Sequence, residues 1–375
     1  MRAAVLALVA AVITACGAPP EPAEEPPHGF VAGAEETAEA QPRLVVAGDG
    51  VVRVLDLVTE EVHEVARVDA TSLAGDGRHA YVGASDGSVR VVDGGSWMVD
   101  HGDHVHYYRA AVREVGAVPA ARPVAANGDP AVTALTLADG TVRLLDRAQL
   151  DEGTVAELST LPGPAVPYGG HVLVAAEQVA VHDRAGAQVA TLAEPCPQPE
   201  GAAAARRAVV LGCADGALLV TESDGAFRGE KVPYPRLDVG RAREFHHRPG
   251  SATLTAIAGE TGIWALDVGA RTWTLHETGP VVAVTTAGAG TPLLTLTADG
   301  VLHALDPASG RELARNPLLS APVAAGATIA VDASRAYVND PATGVVHEID
   351  YGDALRVART FDLGGAVTHM VETGR

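Results

Sequence analysis

One short phrase returns along almost the whole chain and limits what it can fold into: Asp-Gly, then an alternating apolar run closed by Asp. It reads Asp49-Gly50-Val51-Val52-Arg53-Val54-Leu55-Asp56, and recurs over Asp86–Asp93, Asp139–Asp146 and Asp299–Asp306. Weaker copies lie at 177–183, 215–220, 262–267 and 344–350. Asp-Gly is a tight hairpin signal, because both residues tolerate the positive φ that such turns require. The Val- and Thr-rich runs with period-two alternation read as strands. Another strand precedes each turn, as at Ala80–Ala84 and Leu293–Thr297. From Asp56 to Asp350 the closing position advances in seven steps of about 42 residues, the length of one four-stranded propeller blade. The expected fold is therefore all-β, a β-propeller of four-stranded antiparallel sheets. Eight blades are favoured, with seven the alternative if the first copy completes the last blade. Helical signal is confined to a short stretch, Asp146–Glu152.

Residues 1–15 read as a secretory signal, with Arg2 ahead of the apolar run Ala3–Ile13. That run is too short to span a bilayer. Ile13-Thr14-Ala15-Cys16 has the form of a lipobox, which makes Cys16 the expected lipidation site and the outer face of the cell membrane the expected location. Residues 16–41, rich in Pro, Glu and Ala, read as a disordered tether, and 42–375 as a single propeller domain. Cys196 and Cys213 remain; in an exported chain they suggest one disulfide, with two free buried thiols as the alternative. The net charge of −20, with Lys231 the sole lysine, opposes nucleic-acid binding. The chain is read as a monomer that meets the membrane through its lipid anchor alone.

The longest step in the repeat, Asp93 to Asp146, contains the densest chemistry. Asp100-His101-Gly102-Asp103-His104-Val105-His106-Tyr107-Tyr108 holds three histidines and two aspartates within seven residues. Imidazole and carboxylate are good ligands for Zn²⁺ and other first-row divalent ions, and His/Asp sites accept Cu²⁺ and Ni²⁺ as well. If the segment is extended, His104 and His106 face the same side. Insertions in blades map to loops on a face, where function concentrates. Further ligands are expected from other blades: His171, read as preceding an inner strand, and His247 of the His246-His247 pair. His63, His79, His182, His276, His303 and His347 lie in ordinary hairpins and read as structural. Neither His-Glu-x-x-His nor Gly-x-x-x-x-Gly-Lys occurs, and nothing marks a hydrolase or dehydrogenase. The rival reading is an interaction propeller, a cell-surface adaptor with incidental histidines.

Asp100–His104, Pro167-Tyr168-Gly169-Gly170-His171 and the pair Cys196/Cys213 with Gly212-Cys213-Ala214-Asp215-Gly216, set in order along propeller repeats, resemble the secreted zinc metallochaperones of the AztD type. The resemblance runs from about Leu44 to the C-terminus. It implies a non-enzymatic protein that binds Zn²⁺ outside the cytoplasm and hands it to the solute-binding protein of a zinc ABC transporter. Carried over by position, it implies His101, Asp103, His104 and His171 as metal-site residues. His106 and His247 are added from spacing and position. The chain departs from the pattern at its N-terminus: in place of a His-rich segment, the tether carries only His28.

Overall fold

The computed structural model describes residues 31–101 and 104–374. The signal segment, Cys16, the first part of the tether and Asp103 lie outside the described residues. Each copy of the phrase forms the third strand of a blade, and the turn before it joins strands two and three. Asp49 and Gly50 both take positive φ, 49° and 72°, in a two-residue turn between Arg43–Gly48 and Val51–Asp56. At the next copies only the glycine is left-handed, Gly87 at 82° and Gly140 at 83°. There the aspartate contributes its carboxylate instead. Asp86 Oδ1 accepts from the backbone N–H and hydroxyl of Ser88, and Asp139 Oδ1 does the same with Thr141. The closing aspartates serve the following turn. Asp56 Oδ1 accepts from Val58 and Thr59 N–H, and Asp146 caps the short helix Arg147–Asp151 by accepting from Gln149 N–H.

Among the described residues the strands form eight blades and one additional sheet. Blade one takes its inner strand, His369–Thr373, from the C-terminal end of the chain. It pairs with Arg43–Gly48, followed outward by Val51–Asp56 and Val62–Arg67. The ring is thus closed by the last strand completing the first blade, not by the first copy completing the last. Blade two contains Ala70–Gly75, His79–Ala84, Ser88–Asp93 and Arg113–Pro119. Blades three to five occupy 123–162, 165–195 and 202–233, and blades seven and eight 281–317 and 329–362. Blade six has three regular strands, Thr253–Ile257, Ile263–Asp267 and Thr272–His276, and a single bridge from His246 to Thr255 at the inner position.

Packing follows the same count. Eight apolar clusters fill the eight junctions between consecutive blades, with Leu44 and Val46 facing blade eight while Val45 and Ala47 face blade two. Successive side chains of a strand point to opposite faces, and here both faces are covered. That is why the third-strand phrase is buried along its whole length in blade one. Cys196 and Cys213 are disulfide-bonded and tie blade four to the second strand of blade five.

The extra length between Asp93 and Asp146 is a hairpin, Ser96–Asp100 and Val105–Arg109, inserted between the third and outer strands of blade two. With Glu35–Thr37 it makes the ninth sheet, in order Glu35–Thr37, Val105–Arg109, Ser96–Asp100. The far end of the stretch expected as a tether is therefore built into the fold. The repeat alone reads as placing the histidine stretch in a turn that leads into an inner strand; the register places it before an outer one.

Blades two and three share a buried polar cluster. Asp76 accepts from Tyr81 OH at 2.7 Å, Thr133 Oγ1 at 2.7 Å and Arg147 Nη1 at 2.6 Å, and from the backbone N–H of His79 at 2.8 Å. Burial alone would raise its pKa, but Arg147 and these donors hold the carboxyl well below the usual range. The wholly buried His79 beside it is pushed down to about 4 by burial, against the pull of Asp76. Between pH 6.5 and about 4 the unfolded chain therefore takes up a proton that folded His79 refuses. Stability falls as pH drops through that window, by about 3 kcal/mol from this residue. Denaturant titrations of the wild type and His79→Gln between pH 7 and 4 should show a difference that shrinks by about this amount as the pH falls. A pH-independent difference refutes the assignment.

Candidate metal centre

The inserted hairpin is a short two-stranded ribbon that cannot bury a core of its own, so its position is set at its neck. Arg43, 4 % exposed, lies on the second strand of blade one. Its Nε donates to Asp56 Oδ2 at 3.0 Å. Its Nη1 donates to the carbonyls of Gly94 and Gly95, where the chain leaves blade two, and of Ala110, where it returns, at 2.9–3.0 Å. Gly95 is required here: its φ is 68°, and a Cβ would lie 2.5 Å from Arg43 Nη1. Thr373 of the C-terminal strand packs as tightly against Gly94, where a Cβ would lie 2.5 Å from its hydroxyl.

A second guanidinium sets the hairpin's tilt. Arg78 makes a two-pronged contact with Asp93, at 3.1 and 2.9 Å, and reaches Asp151 at 2.8 Å. Its guanidinium carbon lies 3.7 Å from the ring centroid of Trp97 on the first strand of the hairpin. Trp97 stacks on Tyr108 across the ribbon at 5.4 Å, and Tyr108 faces His106 at 6.3 Å. The order of the tip thus traces back through aromatic contacts to a buried ion pair.

At the tip the ladder ends with Asp100 opposite Val105, and the His101 N–H donates to the His104 carbonyl at 2.9 Å. This turn brings three imidazoles together. His101 and His104 stack with centroids 4.8 Å apart, while His106 lies edge-on to both, at 5.3 and 4.9 Å. One ring nitrogen from each lies within 4.8 Å of the others, and they form the grouping of potential metal ligands among the described residues. Zn²⁺ with nitrogen ligands at 2.0–2.1 Å holds them about 3.4 Å apart in a tetrahedron, so small χ rotations close the set. His101 and His104 are exposed and His106 half-buried. His106 Nδ1 also lies 2.7 Å from Glu36 Oε1 on the N-terminal strand.

The other residues named from sequence fall elsewhere. Asp103, between His101 and His104 in the sequence, lies outside the described residues. His171 begins the second, not the inner, strand of blade four, after the Gly169-Gly170 turn; its Nδ1 is 2.9 Å from the Gly169 carbonyl and its ring packs edge-on to Phe227 at 5.2 Å. His247 follows the bridge residue His246 at the inner position of blade six. Neither is in the three-histidine grouping. Of the residues read as structural, His79 is wholly buried, and His182 lies 2.9 Å through Nδ1 from the Gly186 carbonyl.

Sequence reasoning missed Glu36, Arg43 and Arg78. Nothing in a Pro/Glu/Ala-rich stretch separates Glu36 from its neighbours, and the two arginines act through partners distant in sequence. The expectation that no Gly-x-Ser-x-Gly elbow occurs is also corrected by Gly83-Ala84-Ser85-Asp86-Gly87, which has its letters. The structure puts it in the hairpin between strands two and three of blade two, without the strand-to-helix turn that chemistry needs.

Set against solved structures, the fold is similar to that of AztD from Citrobacter koseri, in the apo form and in a further crystal structure. For both the TM-score is 0.73 and the identity 19 %, over 90 % of this chain and 99 % of that one. BamB from Moraxella catarrhalis aligns with a TM-score of 0.52 and 14 % identity over 83 % of this chain and 96 % of its own. The computationally designed Ika8 protein gives 0.53 and 16 % over 81 % and 91 %. No family model matches the sequence, and no curated protein matches it.

Removing one partner of a buried ion pair typically costs about 3–5 kcal/mol, because the other charge is left uncompensated. Arg43→Ala should therefore lower unfolding stability by about this amount and speed hydrogen exchange selectively at Ser96–Arg109. Unchanged exchange in the hairpin would show that the neck is held by other contacts.

Proposed function

We propose that this protein is an extracytoplasmic zinc-binding metallochaperone, with His101, His104 and His106 as its core ligands and Asp103, next to His104 in the sequence, as a further one. The observation that carries this is the convergence of three imidazoles, two from the tip of the inserted hairpin and one from the strand that leaves it. A structural zinc site is closed by four protein ligands. Three ligands at an exposed tip suit cargo, since an acceptor's side chain can approach the ion before the donor's ligands have left. The likeness to AztD extends over nearly the whole of that chain and supports the same reading.

In this reading the acceptor is the solute-binding protein of a zinc ABC transporter, reached by direct contact. Cys16 carries lipid at the outer face of the membrane, and the residues before Glu35 give the propeller its reach. The chain acts as a monomer and catalyses no reaction. His171 lies on the same face as the insertion, because turns after first and third strands emerge on one side of a propeller, but it is two blades away. His247 lies four blades away, at the inner position of blade six. Both stand outside the proposed ligand set.

Competition for Zn²⁺ against a chromophoric chelator should give one tight site per chain. In His101→Ala/His104→Ala affinity should fall by more than the ~100-fold typical of losing an outer-shell partner, whereas His171→Ala should leave it unchanged. A wild-type chain that binds no zinc, or a double variant that binds as the wild type does, would refute the function.

A further inference from the structure

We propose that the N-terminal strand Glu35–Thr37 is a strap that finishes this metal site, with Glu36 as the residue that positions His106. The inference rests on the zinc reading above and adds a part that neither the motif nor the insertion contains.

Glu36 lies opposite Tyr108 in the antiparallel ladder. Tyr108 and His106 share a face of their strand, so Glu36 is the diagonal neighbour of His106, within reach of a long side chain. Its Oε1 is 2.7 Å from His106 Nδ1. An ionised carboxylate only accepts hydrogen bonds, so Nδ1 carries the hydrogen and the lone pair is left on Nε2. A ligating histidine commonly gives its second ring nitrogen to a carboxylate, which fixes both tautomer and ring plane. Of the three clustered histidines, His106 is the half-buried one and the one seated within a strand. It is therefore the ring for which a fixed orientation aims the donor atom most effectively.

The strap itself is lightly held. It is three residues long and pairs along one edge only, with Glu35 opposite Arg109 and Thr37 opposite Tyr107. Thr37 Oγ1 adds a 3.4 Å contact to the Tyr107 carbonyl, and Glu35 a 3.8 Å ion pair to Arg109. A short, exposed edge strand belongs to the low-stability end of a fold and can lift without unfolding the propeller. When it lifts, His106 loses its orienting partner and the site holds its ion more weakly. The seating of Glu35–Thr37 on its neighbour strand therefore sets the affinity of the site.

The test uses the whole protein carrying Glu36→Ala or Glu36→Gln. Because Glu36 is exposed, both variants should fold as the wild type does. Nitrogen-15 NMR of the imidazoles should show His106 as the Nδ1–H tautomer in the metal-free wild type, with that preference lost in Glu36→Ala. Zinc affinity should fall about 10–100-fold in Glu36→Ala, with most of it regained in Glu36→Gln, which keeps an accepting oxygen. Wild-type affinity in Glu36→Ala, or an unchanged His106 tautomer, overturns the strap while leaving the zinc function standing. Absence of zinc binding in the wild type overturns both.

Discussion

The candidate site depends on one guanidinium. Arg43 is buried where blade one meets the neck of the insertion, with four acceptors around it, one carboxylate and three carbonyls. Burying a charge is costly unless its hydrogen-bonding capacity is met, and here two components of the fold meet it together. Asp56, whose other oxygen closes a hairpin of the repeat, supplies the countercharge. The neck of the insertion supplies the carbonyls. The device that keeps blade one regular is thus the one that anchors the irregular addition to blade two. The cost of a misplaced neck is a buried, half-solvated cation, which explains how a ribbon with little core of its own holds one position.

What could be read from the sequence was local. The hairpin phrase betrays itself because its turn chemistry acts within about four residues, and eight such turns at one spacing lead to a closed ring. The insertion showed as an excess of length, and the histidine density as composition. Contacts between distant segments did not show. His171 reads from sequence as preceding an inner strand because apolar runs in the first two strands of a blade look alike; the pairing of Tyr168 with His171 distinguishes them. Glu36 sits in a segment whose composition speaks for solvent, and only the free edge of Val105–Arg109 turns it into a strand. The aspartates of the repeat were read for their tolerance of positive φ, whereas at two of the clearest copies they act as hydrogen-bond acceptors.

The molecule also sorts its histidines by solvent. His79 is sealed between blades beside an ion pair, where burial keeps it neutral into mild acid and it serves as packing. His276, His347 and His369 are shifted in the same direction, each chiefly by burial. The three at the hairpin tip are instead exposed or half-buried and crowded by one another. A propeller can keep both populations because a hairpin inserted at one turn leaves the third and outer strands of its blade paired.

The C-terminal strand closes the ring, and Thr373 at its end presses against Gly94 at the neck of the hairpin, while the Gly374 N–H donates to the carbonyl of Gly77. The clustered histidines His101, His104 and His106 thus stand over a floor laid in part by His369–Thr373, a strand far from them in sequence. The ribbon is therefore fully seated only once that strand has paired into blade one. Ring closure and the seating of the ribbon are thus a single event, and an open ring has the three histidines without the support beneath them.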